Sequence, residues 1–185
     1  MLKKISHKIV QKMNDVFPRS EEDKQKMEYF LEIILDQTLI MIVVLIICAC
    51  VGYHREAIVC FLGCMLYRFF AGGIHFKKRT ECILATSLVA VVGGFLIFKI
   101  SIPFILCLIL LLTDFLISLY FAPQVTKDNP ITEKYRKIRK IETVILVGIY
   151  LLVLFLAKGI WGQGLTVGAT LGAISILPGL MRTTE

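Results

Sequence analysis

ILDQTLIMIVVLIICACVGY, residues 34–53, carries one charged side chain, Asp36, near its start and none after it. Twenty residues at 1.5 Å rise make a helix about 30 Å long, the thickness of a bilayer's hydrocarbon core. A helix on a soluble core would need a polar face, and this stretch has none. PFILCLILLLTDFLISLYFA, residues 103–122, repeats the pattern with Asp114 as its one charge. The whole chain of 185 residues is 57% hydrophobic, with a mean hydropathy of +0.77. These values exclude an ordinary soluble domain and predict an all-α polytopic membrane protein: an N-terminal interfacial amphipathic helix followed by about six transmembrane or partly re-entrant helices.

Upstream of the first block, Leu2, Ile5, Ile9, Met13 and Val16 recur at steps of three or four, with Lys3, Lys4, Lys8 and Lys12 largely between them. The pattern predicts a basic amphipathic helix ending near Pro18 and lying in the membrane surface. Residues 1–29 hold both signs of charge and no apolar core of the signal-peptide kind. They are expected to form a cytoplasmic or interfacial segment, with residues 30–185 as one membrane domain. Six apolar segments follow, at 31–53, 57–71, 83–98, 101–122, 143–158 and 160–181. The second is short, about 22 Å as a helix, and holds Arg68 before Gly72–Gly73. It reads as a short span or a re-entrant helix.

With both ends inside, eighteen of the 21 Lys and Arg residues fall on the cytoplasmic side. That asymmetry sets the expected topology. It also accounts for the net charge of +7 without invoking nucleic acid. The loop 123–142, PQVTKDNPITEKYRKIRKIE, is the most basic connection and suits anionic lipid on that face. Five of the six cysteines, Cys48, Cys50, Cys60, Cys64 and Cys107, lie inside apolar blocks, where cysteine behaves as a small hydrophobe.

Only Cys82 follows charged sequence, in RFFAGGIHFKKRTEC, Arg68–Cys82. Helix N-termini and neighbouring cations favour thiolate chemistry. Thr80 as an N-cap would put Cys82 in a first turn, after Lys77, Lys78 and Arg79. His75 is the nearby candidate base. On one continuous helix, residues seven apart lie about 10.5 Å apart along the axis, too far to share a proton. A Cys82–His75 pair therefore requires the chain to turn between them, with a break between the second and third segments. The glycines Gly72 and Gly73 before His75 and the polar FKKRTE between the two residues permit that. The two glycines could instead allow a substrate backbone to approach. Arg68 could bind a substrate carboxylate, contact the scissile region or snorkel to lipid phosphate, the last being the plainer role. Glu32, Asp36 and Asp114 could orient His75, although pairing with Arg68 or a helix neighbour is the simpler reading.

The pattern R-x-x-A-G-G-x-H-x6-C, carried by Arg68, Gly72, Gly73, His75 and Cys82, resembles the accessory gene regulator B family. The amphipathic start, six apolar segments and basic loop agree with it. The resemblance implies a multi-pass cysteine endopeptidase of the bacterial cell membrane, with termini and active site facing the cytoplasm. Its partner would be a quorum-sensing precursor signal peptide (AgrD-like) with an amphipathic leader and an acidic tail. Removal of the tail leads to a cyclic thiolactone or lactone. By match, Cys82 is the nucleophile and His75 the general base, while Arg68, Gly72 and Gly73 bind substrate or support the site. Ile74 and Phe76 are bulkier than the small residues expected beside that histidine, which bears on the substrate pocket. No metal or other cofactor is implied, and a short second segment that needs cover is compatible with a homodimer. The rival classes are a small transporter or channel with Arg68 and Asp114 as pathway charges, a metal-handling protein using the paired cysteines, and a non-catalytic scaffold.

Overall fold

The computed structural model describes residues 2–73, 79–124, 133–157 and 159–177. Among these residues the chain forms seven helices: α1 (Leu2–Val16), α2 (Glu21–Val51), α3 (His54–Ala71), α4 (Arg79–Lys99), α5 (Phe104–Phe121), α6 (Glu133–Leu156) and α7 (Ile160–Ile174). No strand occurs among them. Three helices are long and apolar enough to cross a membrane: α2, α4 from Thr80, and α5. The chain is an all-α membrane protein. α3 is interrupted by charge at both ends, α6 opens on EKYRKIRKIE, and α7 has 15 residues. The cationic lead-in expected before the fifth apolar segment is thus the first part of α6 itself.

The helices divide into two compact units, residues 1–43 and 44–185, with α2 passing from one to the other. In the first unit, α1 leaves Ile5, Ile9, Met13 and Val16 exposed as one stripe. The neighbouring face turns toward α2. Ser6 Oγ donates to Glu32 Oε1 at 3.4 Å, and His7 Nδ1 stands 2.6 Å from Glu28 Oε1. α2 then starts where local chemistry directs. The Asp23 N–H donates to Ser20 Oγ at 3.2 Å, and Ser20 Oγ donates to Asp23 Oδ2 at 2.8 Å, a reciprocal cap. Glu21, Glu22 and Asp23 in the first turn complement the helix dipole.

In the second unit α3 is the central helix, with Ala57, Val59, Cys60, Phe61, Gly63, Cys64, Tyr67 and Ala71 buried. α7 runs parallel to it and touches it through glycines. Gly164 meets Val59, Gly168 meets Cys60, Gly63 and Cys64, and Gly172 meets Tyr67. Small residues at four-residue spacing let two helix backbones approach inside a membrane, where burying apolar surface gives no preference between lipid and protein. α4 returns antiparallel along α3. Gly94 lies against Ala57, Gly93 against Cys60, and Thr86 against Arg68. α6 also runs antiparallel to α3, with Tyr150 Oη donating to the Gly63 carbonyl at 3.1 Å near its middle and Arg139 stacked 5.2 Å over the Phe69 ring near its start.

α5 is fastened by a buried polar chain. Tyr67 and Ser118 share a 2.8 Å hydrogen bond, Ser118 Oγ donates to the Asp114 carbonyl at 2.7 Å, and Thr170 Oγ1 donates to Asp114 Oδ2 at 2.8 Å. Leu84, Leu88, Ile105, Leu116, Ile145 and Leu152 remain outward and exposed, as side chains facing lipid should.

This arrangement gathers the C-terminal ends of α3, α5 and α7 with the N-terminal ends of α4 and α6. Gln124 fastens that end: its N–H donates to the Ala71 carbonyl at 2.9 Å and its Nε2 to the Ile176 carbonyl at 2.8 Å.

Candidate functional site

The R-x-x-A-G-G-x-H-x6-C window begins on the last turn of α3 and ends on the first turn of α4. The helix stops because Gly72 and Gly73 take φ values of 79° and 153°, which an L residue rarely adopts. The Gly72 N–H still donates to the Arg68 carbonyl at 2.9 Å, closing the final turn. Both glycines also accept close neighbours. A Cβ on Gly72 would stand 3.0 Å from the Gln124 carbonyl oxygen, and one on Gly73 2.7 Å from Ser175 Oγ and 3.1 Å from Arg68 Nε. The pair makes the turn, and the groups that stand close to it are the protein's own.

The chain is not one helix from Gly73 through Cys82: α3 has ended before Gly73, and α4 starts at Arg79. A Cys82–His75 pair requires a turn between those two residues, and residues 74–78 lie outside the described ones. Thr80 is inside α4 rather than its N-cap, and Cys82 still falls in the first turn, half-buried. The antiparallel register that sets Gly94 against Ala57 and Thr86 against Arg68 brings the α4 residues one turn before Thr86 level with Gly72. Cys82 is the residue one turn before Thr86, on the same helix face. His75, Lys77 and Lys78 lie outside the described residues.

Arg68 is half-buried; its Nη1 donates to Thr86 Oγ1 at 3.3 Å, and its Nε lies against Gly73. A charge at the end of an apolar helix has turned inward, toward the helix that carries Cys82. Of the acidic candidates, Asp114 is fully buried and takes its hydrogen bond from Thr170, a partner the sequence did not suggest. Glu32 accepts from Ser6 in the first unit. Among the described residues no group of three or more His, Cys, Asp or Glu could hold a metal ion.

Sequence reasoning missed Thr86, Ser175 and Gln124, which close around the turn from α4, the end of α7 and the end of α5. It also missed the glycines that seat α7. GLTVGATLG, Gly164–Gly172, carries the four-residue small-residue spacing that marks a helix-packing face, and this was the available signal. Thr86 and Ser175 gave none, since isolated hydroxyls in an apolar run more often bond their own helix backbone.

Comparison with known proteins places this chain in a family. An accessory gene regulator protein B of Staphylococcus carnosus is 27% identical over 111 residues, 60% of this chain and 58% of its own length. That of Staphylococcus aureus is 31% identical over 120 residues, 63% of each chain. An AgrB-like protein of Clostridium perfringens is 25% identical over 161 residues, 83% of this chain and 75% of its own. The chain thus spans about three-fifths of the staphylococcal relatives it matches. No solved structure matches. The family model for accessory gene regulator B matches residues 2–176, and the chain belongs to that family.

Proposed function

We propose that this protein is a membrane-embedded cysteine endopeptidase that removes the C-terminal tail of a quorum-sensing precursor peptide. The observation that carries this reading is the helix break at Gly72–Gly73. It folds α3 and α4 into an antiparallel hairpin, with Cys82 opening α4 one turn from the Arg68–Thr86 contact. His75 stands two peptide units, at most about 7 Å of chain, from Gly73, which is compatible with its acting on Cys82.

His75 would take the Cys82 thiol proton as the sulfur attacks a peptide carbonyl carbon. The C–N bond then breaks, and the same proton goes to the departing amine. The product is an acyl–sulfur ester on Cys82 and a free tail. A thiol or hydroxyl inside the peptide can attack that ester, displace the Cys82 sulfur and close a ring. Thioester exchange keeps the acyl group activated, and tethering makes the attack intramolecular. The cations of α6, Arg136, Lys137, Arg139 and Lys140, gather at the same end as Cys82 and suit an acidic tail. The exposed apolar stripe of α1 suits the membrane surface, where an amphipathic peptide leader would also lie. The same cations at the Cys82 end of the bundle suit a cytoplasmic position for that end.

The test is chemical capture. Membranes carrying the protein, mixed with a tagged precursor and quenched in acid, are expected to yield a protein–peptide adduct that neutral hydroxylamine releases. Continued cleavage without such an adduct, or an adduct that resists hydroxylamine, would exclude the thioester route.

The turn offers a second check. Gly73→Ala would press a methyl group against Ser175 Oγ and Arg68 Nε at a φ of 153°. Tail cleavage is expected to fall at least about a hundredfold, the scale at which a misplaced group costs rate. The protein should still accumulate in the membrane, because the bundle core lies elsewhere. Comparable cleavage by wild type and Gly73→Ala would show that the turn's geometry is not used.

A further inference from the structure

Polar side chains inside a membrane bundle call for a reason, because lipid offers them no partner. Thr86 is 8% exposed, on the second turn of α4, and accepts a hydrogen bond from Arg68 Nη1 at 3.3 Å. Ser175, the residue just past α7, approaches the glycine turn. Its Oγ and Arg68 Nε lie 2.7 Å and 3.1 Å from the position a Gly73 Cβ would take. Ser175 is itself fixed, donating to the Gly172 carbonyl at 2.6 Å, while Gly172 is seated on Tyr67 of α3. Thr86 of α4 therefore meets the guanidinium directly, while Ser175 at the end of α7 meets the glycine turn against which the guanidinium lies. That group carries five N–H donors in a fixed plane, so it can engage several acceptors at once.

We propose that Thr86, through its hydrogen bond, and Ser175, through its packing on the Gly73 turn, are positioning residues that keep the Arg68 guanidinium beside that turn, where it donates to the scissile carbonyl oxygen as that oxygen becomes anionic. The proposal rests on the cysteine-peptidase reading and adds to it the group that meets the developing charge. When the Cys82 sulfur adds to the carbonyl carbon, the C=O π pair moves onto oxygen. It returns as the C–N bond breaks and the amine leaves with the proton from His75. Arg68 gains and loses no proton in this step. A preorganised donor at such a position is commonly a large single contribution to rate. Thr86 follows Cys82 by one helical turn, so the hydrogen bond to Thr86 draws the guanidinium toward the helix that carries the nucleophile.

The experiment measures kcat and KM for tail cleavage by the full chain in lipid vesicles. Thr86→Val keeps the shape and removes the hydroxyl; kcat should fall about tenfold with KM unchanged, a modest share of what misplacement can cost. Thr86→Ser should keep most of the activity. Ser175→Ala should lower kcat in the same way, with Ser175→Thr restoring it. In an Arg68→Lys background, Thr86→Val should add little, because both changes act through one group.

A wild-type kcat in both Thr86→Val and Ser175→Ala overturns the proposal. So does an effect confined to KM, which would make Arg68 a binder of a substrate carboxylate. Full additivity with Arg68→Lys overturns it as well. If Thr86→Val does not accumulate, Ser175→Ala and Ser175→Thr, at the end of α7, decide the matter. Cys82→Ala separates the two levels: cleavage by that variant sinks the peptidase reading itself. An inactive Cys82→Ala beside fully active Thr86→Val and Ser175→Ala sinks only the role given to Arg68 and its holders.

Discussion

Cys82→Ala is expected to abolish tail cleavage while leaving the protein folded in the membrane. The loss should be at least about a thousandfold, since removing a nucleophile eliminates the covalent route and leaves only binding and electrostatic assistance. Folding should survive because Cys82 is half-buried on the first turn of α4, and alanine retains its Cβ and favours the helix. Cys82→Ser retains a hydroxyl of similar size, but a serine hydroxyl is a far weaker nucleophile without strong activation, so it should fall nearly as far. The informative comparison is Cys50→Ala. Cys50 is exposed on the last turn of α2, and its removal should leave cleavage unchanged. The measurement is co-expression with a precursor tagged at both ends, followed by separation of the cut and uncut forms. Equal cleavage by Cys82→Ala and Cys50→Ala would remove Cys82 from the chemistry.

The second large effect is structural. Gly168→Leu is expected to prevent stable assembly of the bundle. A Cβ at Gly168 would overlap the Cys60 carbonyl oxygen and stand 2.7 Å from the Cys64 nitrogen and 3.0 Å from the Gly63 carbonyl carbon. All three are backbone atoms of α3, so no rotamer change can make room. α3 and α7 must separate, and the close approach along Gly164, Gly168 and Gly172 goes with it. Overpacking ordinarily costs about 1–3 kcal/mol, and a leucine wedged between two backbones belongs above that range. Gly148→Ala supplies the control. No neighbouring atom lies within 4 Å of its added Cβ, so the change should be neutral or slightly stabilising through helix propensity, worth up to about 1 kcal/mol. Thermal unfolding in detergent, followed by protease resistance, distinguishes the two. Equal resistance in both variants would mean that α7 is not seated on α3 as described.

Part of the frame of the candidate site was legible in the sequence. The spacing of His75 and Cys82 required a turn between them, the two glycines offered one place to leave a helix, and α3 ends at them. The direction of Arg68 was not legible. A cation near the end of an apolar run can reach lipid phosphate or turn inward, and the run reads the same either way. Thr86 takes a hydrogen bond from Arg68 and Ser175 packs on the turn beside it, and they stand 18 and 107 residues away from Arg68 in the chain. Asp114 shows the same limit: its depth was apparent, its partner Thr170 was not.

The sequence by itself determined that the chain is helical and membrane-bound, because a run of apolar residues long enough to cross hydrocarbon must satisfy its backbone internally. It also offered Gly72–Gly73 as a place where a helix could end, since a backbone conformation is a local property. Only the tertiary structure decided which helices touch. In a soluble protein the apolar face of a helix announces its core side. α3 and α7 are apolar nearly all the way round, so that signal is erased, and shape takes its place. The seating of α7 on α3 is set by where Gly164, Gly168 and Gly172 leave room for a neighbour, and the position of Ser175 beside Gly73 and Arg68 follows from that contact.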